Sequence, residues 1–404
     1  MTTLMNRVWL VTTAMAWPWA AALAGSPYTV TELGTLGGAE SAAFGLNDSN
    51  QVVGWSLANN GETHAFIWTK GVMTDLGTLG GPASMAWAIN NAGTIVGESL
   101  PTGQTGSTNF RAFVFQQQQM SPLPTLGGTW SAAFDINNDG VIAGLSYNTL
   151  QREQAVVWSS AGTITNIAQV GGATDQRTRC YGLNDTGDAT GWGYTPLGGP
   201  NNAFTYISGQ WRQIGGQGQF QNAEAYDIGN SGIVVGSSAP PSGGDWHAAL
   251  WLPANPTEAV ILGTLPGFPL AQLDDINSQN HAVGRAYVTN FESRAIYYDG
   301  QSLHDLNEFL PNGFQGELVD AREINGIGVI AATARHNGLL RAVLLTPPAL
   351  PGDVDHNGVV DANDLIIVIL AWGPCPPSGP CDADADGSGQ VDVDDLIVVI
   401  LHWS

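Results

Sequence analysis

The chain has 404 residues, with 12 Lys plus Arg against 35 Asp plus Glu, a formal charge of −23. A single lysine, Lys70, and so few arginines exclude a nucleic-acid partner, which needs a basic face to neutralise phosphates. At 43% hydrophobic residues with 14 Trp the chain is too apolar for disorder, and 52 Gly without a collagen period point to many tight turns.

Residues 1–24 read as a signal peptide. Arg7 is the charged start, Val8 to Leu23 is apolar, and Ala22-Leu23-Ala24 fits the small-residue cleavage rule. No later apolar run is long enough to span a bilayer, so the expectation is an exported chain, secreted or attached to the cell surface, without a membrane span after cleavage. That compartment permits disulfides.

From about Tyr28 to Thr346 the sequence repeats. Unit starts fall at Leu33, Leu76, Leu123, Ile167, Ile214, Leu262 and Leu306, at intervals of 43 to 48 residues. Each unit carries a turn opened by Asn47, Asn90, Asn137, Asn184, Gly229, Asn277 or Asn325. The fourth turn residue is Gly or Asn, types that tolerate positive φ. Seven residues after the turn opens stands Gly54, Gly97, Gly144, Gly191, Gly236 or Gly284, with Ala332 in the last unit, which signals close backbone approach. A strand with Ala second follows, as in His64-Ala65-Phe66, and then a further strand. Four strands per unit predict propeller blades. The seventh unit lacks its fourth strand, and a spare one, Tyr28 to Leu33, stands ahead of the first unit. Pairing the two would close the ring and remove exposed edges. The predicted fold is all-β, a seven-bladed β-propeller over residues 25–346.

A linker, residues 347–352, leads to a segment of different composition. Residues 353–404 hold ten Asp and no Lys or Arg. Two copies of one pattern occur: Asp353, Asp355, Asn357, Gly358, Asp361, Asp364, and Asp384, Asp386, Ser388, Gly389, Asp392, Asp395. A hard cation takes six to eight oxygens, and a twelve-residue loop wraps them around one point. Positions 1, 3, 5, 9 and 12 supply side-chain oxygens, position 7 a carbonyl (Val359 or Gln390), and Gly at position 6 the bend. The pattern predicts two Ca2+ ions. Cys375 and Cys381 lie between the loops as candidates for a disulfide, with two unpaired thiols as the alternative. Cys180 reads as a small core residue.

The repeat units resemble the HAF repeats of exported bacterial proteins, through His64-Ala65-Phe66. The two acidic loops, with Asp at position 12 and a helix after each, resemble a type I dockerin. That resemblance implies a small helical domain over residues 353–404 with a cohesin-like partner domain, and makes Asp353, Asp355, Asn357, Asp361, Asp364, Asp384, Asp386, Ser388, Asp392 and Asp395 the metal ligands beside the Val359 and Gln390 carbonyls. Positions 10 and 11, where dockerins often show Ser-Thr, are Ala362-Asn363 and Val393-Asp394. The segments Leu365 to Trp372 and Leu396 to Trp403 are apolar almost all round and must bury against each other or a partner.

No nucleophile elbow or zinc motif occurs, so no catalytic residue is assigned. Asp274, Asp275, Asp320 and Glu323 are acidic candidates near inner strands. Trp130, Tyr147, Trp192, Tyr194 and Trp246 lie on or near variable loops of one propeller face. That face is the expected binding surface for a glycan or protein ligand, the rings packing between blades being the other reading. Two functions follow: an exported binding or structural propeller attached through a calcium-dependent dockerin module, or a dockerin-borne polysaccharide-degrading enzyme, a glycoside hydrolase or lyase.

Overall fold

The structure, a computed structural model, describes residues 27–106, 108–167, 177–194, 201–215, 222–240, 244–289, 292–377 and 381–403. The expected signal peptide and parts of the variable loops, among them residues 195–200 and 241–243, lie outside the described residues. The chain divides into two compact units, one spanning Tyr28–Pro347 and the other taking in Pro348 onward. Among the described residues no helix is long and apolar enough to cross a membrane.

The first unit is built of strands, with a short 3-10 turn at Leu306–Phe309. It contains five four-stranded sheets and one of eight strands. The large one is two meanders joined by a single parallel bridge, Thr63↔Ala83. The strand Thr29–Gly34 pairs antiparallel with Leu339–Thr346, so the N-terminal strand completes the last sheet.

Local chemistry explains each landmark. The fourth turn residues, Asn50, Gly93, Gly140, Gly187, Gly232, Asn280 and Gly328, all have φ between 56° and 80°. A Cβ on Gly54, Gly97, Gly144, Gly191, Gly236 or Gly284 would sit 2.0 or 2.1 Å from a backbone carbonyl of the neighbouring inner strand. Only a residue without a side chain admits that approach. The invariant alanine slot has a related cause. The N–H of Ala65, Ala112 and Ala155 donates to the hydroxyl of Ser84, Ser131 and Thr178 in the following unit, at 2.8 to 2.9 Å. A larger side chain there would hold the next inner strand away.

The turn asparagines tie the units together. Each is at most 6% exposed. Asn47 Nδ2 donates to Asn90 O, Asn90 to Asn137 O, Asn137 to Asn184 O, Asn184 to Gly229 O, and Asn277 to Asn325 O. Asn325 then donates to Asn47 O, 278 residues away. Gly229 has no amide to give. At that joint Ser231 Oγ donates to Asn280 Oδ1, and Ile276 N donates to Asp227 Oδ2. The alanine bond recurs between the last unit and the first, as Ala342 N to Ser41 Oγ.

The apolar core is divided into layers between adjacent sheets. Leu33, Phe66, Trp68, Val329 and Leu344 form one, and Ala88, Leu123, Ile142 and Trp158 another. Tyr28 and Leu33 are 1% and 4% exposed, and each such burial is worth about 1.5–3 kcal/mol. A chain lacking Tyr28 to Leu33 loses both and bares the edge of Leu339–Thr346. Its melting temperature should fall by about 10 °C. An unchanged melting curve would contradict the closing role of that strand.

Candidate functional site: an axial cavity and two acidic loops

Every inner strand skips one residue in its pairing. The register steps from Ala43 to Gly45, and from Ala86 to Ala88, with the same step in the other five sheets. Such a bulge re-aims the unpaired side chain. The skipped residues are Phe44, Trp87, Phe134, Tyr181, Tyr226, Asp274 and Arg322, and all seven line one cavity of about 580 Å³. Each stands three residues before its turn opener.

These side chains form a girdle. Phe44 stacks on Trp87 at 4.6 Å, Trp87 meets Phe134 edgewise at 5.9 Å, Phe134 stacks on Tyr181 at 4.8 Å, and Tyr181 meets Tyr226 edgewise at 5.5 Å. Polar groups complete the circuit. The Arg322 guanidinium lies 5.7 Å from the Phe44 ring, with Nε 2.7 Å from Asp320 Oδ2 and Nη1 3.6 Å from Asp274 Oδ1.

The residue after each bulge is small or acidic: Gly45, Ala88, Asp135, Gly182, Asp227, Asp275 and Glu323. The aspartates act as struts. Asp135 accepts from Leu183 N at 2.6 Å, and Asp275 from Ile324 N at 2.6 Å, each in the following unit. Burial pushes the Asp135 carboxyl up to about 7, with the nearby charges of Asp275 and Asp185 adding to it and backbone N–H groups of Leu183 and Ile136 opposing. Asp227 and Glu323 are held well above the ordinary carboxylate range by burial and by the nearby charges of Asp275 and Asp135. Burial also raises Asp275.

Nearby, Glu98 accepts from Trp130 Nε1 at 2.9 Å, and burial lifts its carboxyl to about 7 against that bond. Arg179 pairs with Glu153 through Nε and Nη2, at 3.2 and 3.0 Å, and lies over Trp130 and Trp192. Trp130 packs edgewise on Tyr147, and Trp192 stacks on Tyr181. Those rings are therefore partly consumed in packing and ion contacts rather than displayed on a loop surface. Of the acidic candidates, Asp274, Asp275 and Glu323 line the cavity, and Asp320 pairs with Arg322 beside it. Cys180 is fully buried, and burial pushes its thiol far above the usual range.

The second unit carries the two acidic loops. Ligand atoms of Asp353, Asp355 and Asp364 lie within 4.8 Å of one another, as do those of Asp384, Asp386 and Asp395. The position-12 aspartates are fully buried and shaped by backbone donors. Asp364 accepts from Val354, Asp355 and Asp361 N–H groups, and Asp395 from Asp386 and Asp392. Asp361 and Asp392 cap helices α1 (Ala362–Leu370) and α2 (Val393–Leu401), each in a capping box. The helices thus begin three residues earlier than the apolar segments suggested, because the ninth loop residue doubles as the cap. In loop two, Ser388 Oγ donates to the Gln390 carbonyl, and in loop one Asn357 Oδ1 accepts from Val359 N. Cys375 and Cys381 are joined by a disulfide. Grouped carboxylates, an amide or hydroxyl, and a backbone carbonyl form an all-oxygen donor set, which fits Ca2+.

No family model matches the chain, and no curated protein matches it. Solved structures do. An oligogalacturonate lyase in complex with manganese is 11% identical at a TM-score of 0.51, covering 80% of this chain and 94% of its own. The β-propeller domain of the Trilobed protease from Pyrococcus furiosus is 7% identical at 0.48, covering 77% and 96%. A TolB protein from Agrobacterium tumefaciens is 13% identical at 0.38, covering 73% and 90%. The fold of the first unit is a β-propeller.

The axial carboxylates have a consequence for stability. Each has a folded-state pKa above its unfolded one, so its contribution is complete in acid and is lost as pH rises through the folded value. With Asp135 and Glu98 both near 7, the melting temperature should fall by several degrees between pH 6 and pH 8.5. Asp135→Asn should flatten that slope. A melting temperature that rises over the interval would contradict the assignment.

Proposed function

We propose that this chain is an exported, seven-bladed binding propeller attached to a partner through a calcium-dependent dockerin-like module. The observation that carries the docking half is the pair of carboxylate triads, set identically in two loops. Asp353, Asp355, Asn357, the Val359 carbonyl, Asp361 and Asp364 would hold one ion. Asp384, Asp386, Ser388, the Gln390 carbonyl, Asp392 and Asp395 would hold the other. A bound ion supplies positive charge among these carboxylates and so stabilises the folded loops.

The helices support a docking role. Their exposed apolar residues occur in matching pairs: Ile366 with Ile397, Ile369 with Ile400, Leu370 with Leu401, and Trp372 with Trp403. Only Val368 and Val399 among the helical aliphatics are fully buried. An apolar face of that extent marks a protein interface. A cohesin-like domain is the partner that the resemblance implies. The seven-unit count rests on the repeated asparagine and alanine bonds, including those from the last unit to the first.

The alternative, a polysaccharide-degrading enzyme, draws on one observation: Glu98, a carboxyl raised to about 7, at the cavity wall. Release of new reducing ends from a polysaccharide by the full chain, abolished by Glu98→Gln, would favour it.

Calorimetric titration of the full chain should show two Ca2+ ions bound. Asp364→Asn and Asp395→Asn should each remove one ion with the other retained. Heat of binding unchanged in both variants would overturn the ligand assignment.

The two loops should also differ in their response to reductant. Loop two is braced by the disulfide: Cys375 N donates to Gly389 O at 3.1 Å, Asp384 N to Cys381 O at 2.9 Å, and the Cys375 sulfur lies 3.4 Å from Asp384 Oδ2. With Cys375→Ser and Cys381→Ser together, one ion should bind at least tenfold more weakly while the other is unaffected. Equal weakening of both ions would show that the disulfide acts on the module as a whole.

A further inference from the structure

The charged groups of the axial cavity are mostly acidic. Its wall brings eight carboxyl groups against three guanidinium groups. Two of the three are already engaged: Arg179 by Glu153, and Arg322 by Asp320 and Asp274. The third, Arg285, lies over the Tyr287 ring at 5.2 Å.

Two acceptor atoms here have no partner. Asp274 Oδ2 is buried with nothing bonded to it, on a side chain only 6% exposed that lines the cavity. Asp320 Oδ1 is buried and unpartnered beside it, across Arg322. Their sister oxygens are occupied, Asp274 Oδ1 by Gln272 and Arg322, and Asp320 Oδ2 by Arg322. A buried acceptor left unmade is costly, so the pair marks where a donor would be favourable. A water molecule would supply hydrogen atoms but no charge.

The spacing of the carboxylates separates two kinds of cation. Among the described residues, three ligand atoms within 4.8 Å of one another occur only at the C-terminal loops and the disulfide beside them. The cavity carboxylates do not converge as a metal ion requires. An ammonium group has three diverging N–H donors and suits acceptors set apart from one another. The aromatic girdle lines the same cavity, and its ring faces offer further contacts for a cation.

We propose that the axial cavity binds a small ligand bearing a primary ammonium group, with Asp274 on its wall as the anchor and Asp320, across Arg322, adding charge behind it. About 580 Å³ accommodates one amino sugar or a short aliphatic diamine. Both are sources of the same group. The proposal depends on neither the calcium loops nor the docking partner.

D-glucosamine, D-glucose, N-acetyl-D-glucosamine and putrescine test it, titrated calorimetrically into the full chain at pH 7 in calcium-containing buffer. Glucose and the N-acetyl sugar keep the ring and lose the charge. The expected result is binding of glucosamine or putrescine at least tenfold tighter than either neutral sugar. Preference between the two amines tells a sugar-borne from an aliphatic source. Asp274→Asn should weaken the amine at least tenfold. Asp320→Asn, which removes the charge held across Arg322, should weaken it by a smaller factor, and serves if the first variant does not fold. Equal affinity for glucose and glucosamine overturns the proposal, as does the absence of binding by either amine at 10 mM, or amine binding untouched in a folded Asp274→Asn chain.

Discussion

The one-residue skip in each inner strand is the constraint from which the propeller's interior follows. A strand of regular alternation would send one set of side chains to the axis and the other between the sheets. The bulge turns an additional residue inward, so consecutive residues serve the axis together: first an aromatic or ionic group such as Phe44 or Asp274, then a small residue or carboxylate such as Gly45 or Asp275. The small residues are required by crowding. A Cβ on Gly182 would lie 2.5 Å from Asp227 Oδ1, so the carboxylate of one unit occupies the space that its neighbour's glycine leaves open. Packing at the axis is thus cooperative around the circle.

That interior combines costs and supports. Four carboxylates buried around one axis repel each other and prefer to hold protons. They persist because three of them brace the following unit through a backbone N–H, for example Asp135 to Leu183. The asparagine bonds run in the same direction and do not depend on protonation. Where Gly229 interrupts them, an aspartate strut and a serine hydroxyl occupy the joint. The two systems coincide at two joints, Asn137 with Asp135 and Asn277 with Asp275, so the ring does not rest on a single kind of bond.

Much of the repeat was legible because it depends on local backbone chemistry. Positive φ at the turns, tight approach at Gly54 and its counterparts, and the alanine slot each demand one residue type, so each recurs visibly. The axial girdle was not legible. It is carried by a register step, and the residue types at that step run from phenylalanine through tyrosine to aspartate and arginine. Spacing from the turn was the available signal, since each sits three residues before the opener. For the loop aromatics the sequence left display and packing both open, and Trp130, Tyr147 and Trp192 do make packing contacts, with Arg179 and with other rings. In the acidic segment the pattern located both loops. The helix starts were missed because Asp361 and Asp392 serve at once in the loop and as caps.

The strand Thr29–Gly34 and its mate Leu339–Thr346 come from opposite ends of the repeat region. Such a seam cannot form until synthesis has passed residue 346, so every nascent chain spends its elongation as an open arc with two raw borders. The last hydrogen-bonded seam therefore acts as a proof of completeness. A prematurely terminated product keeps a sticky border for proteases and chaperones to recognise, whereas the finished one hides it.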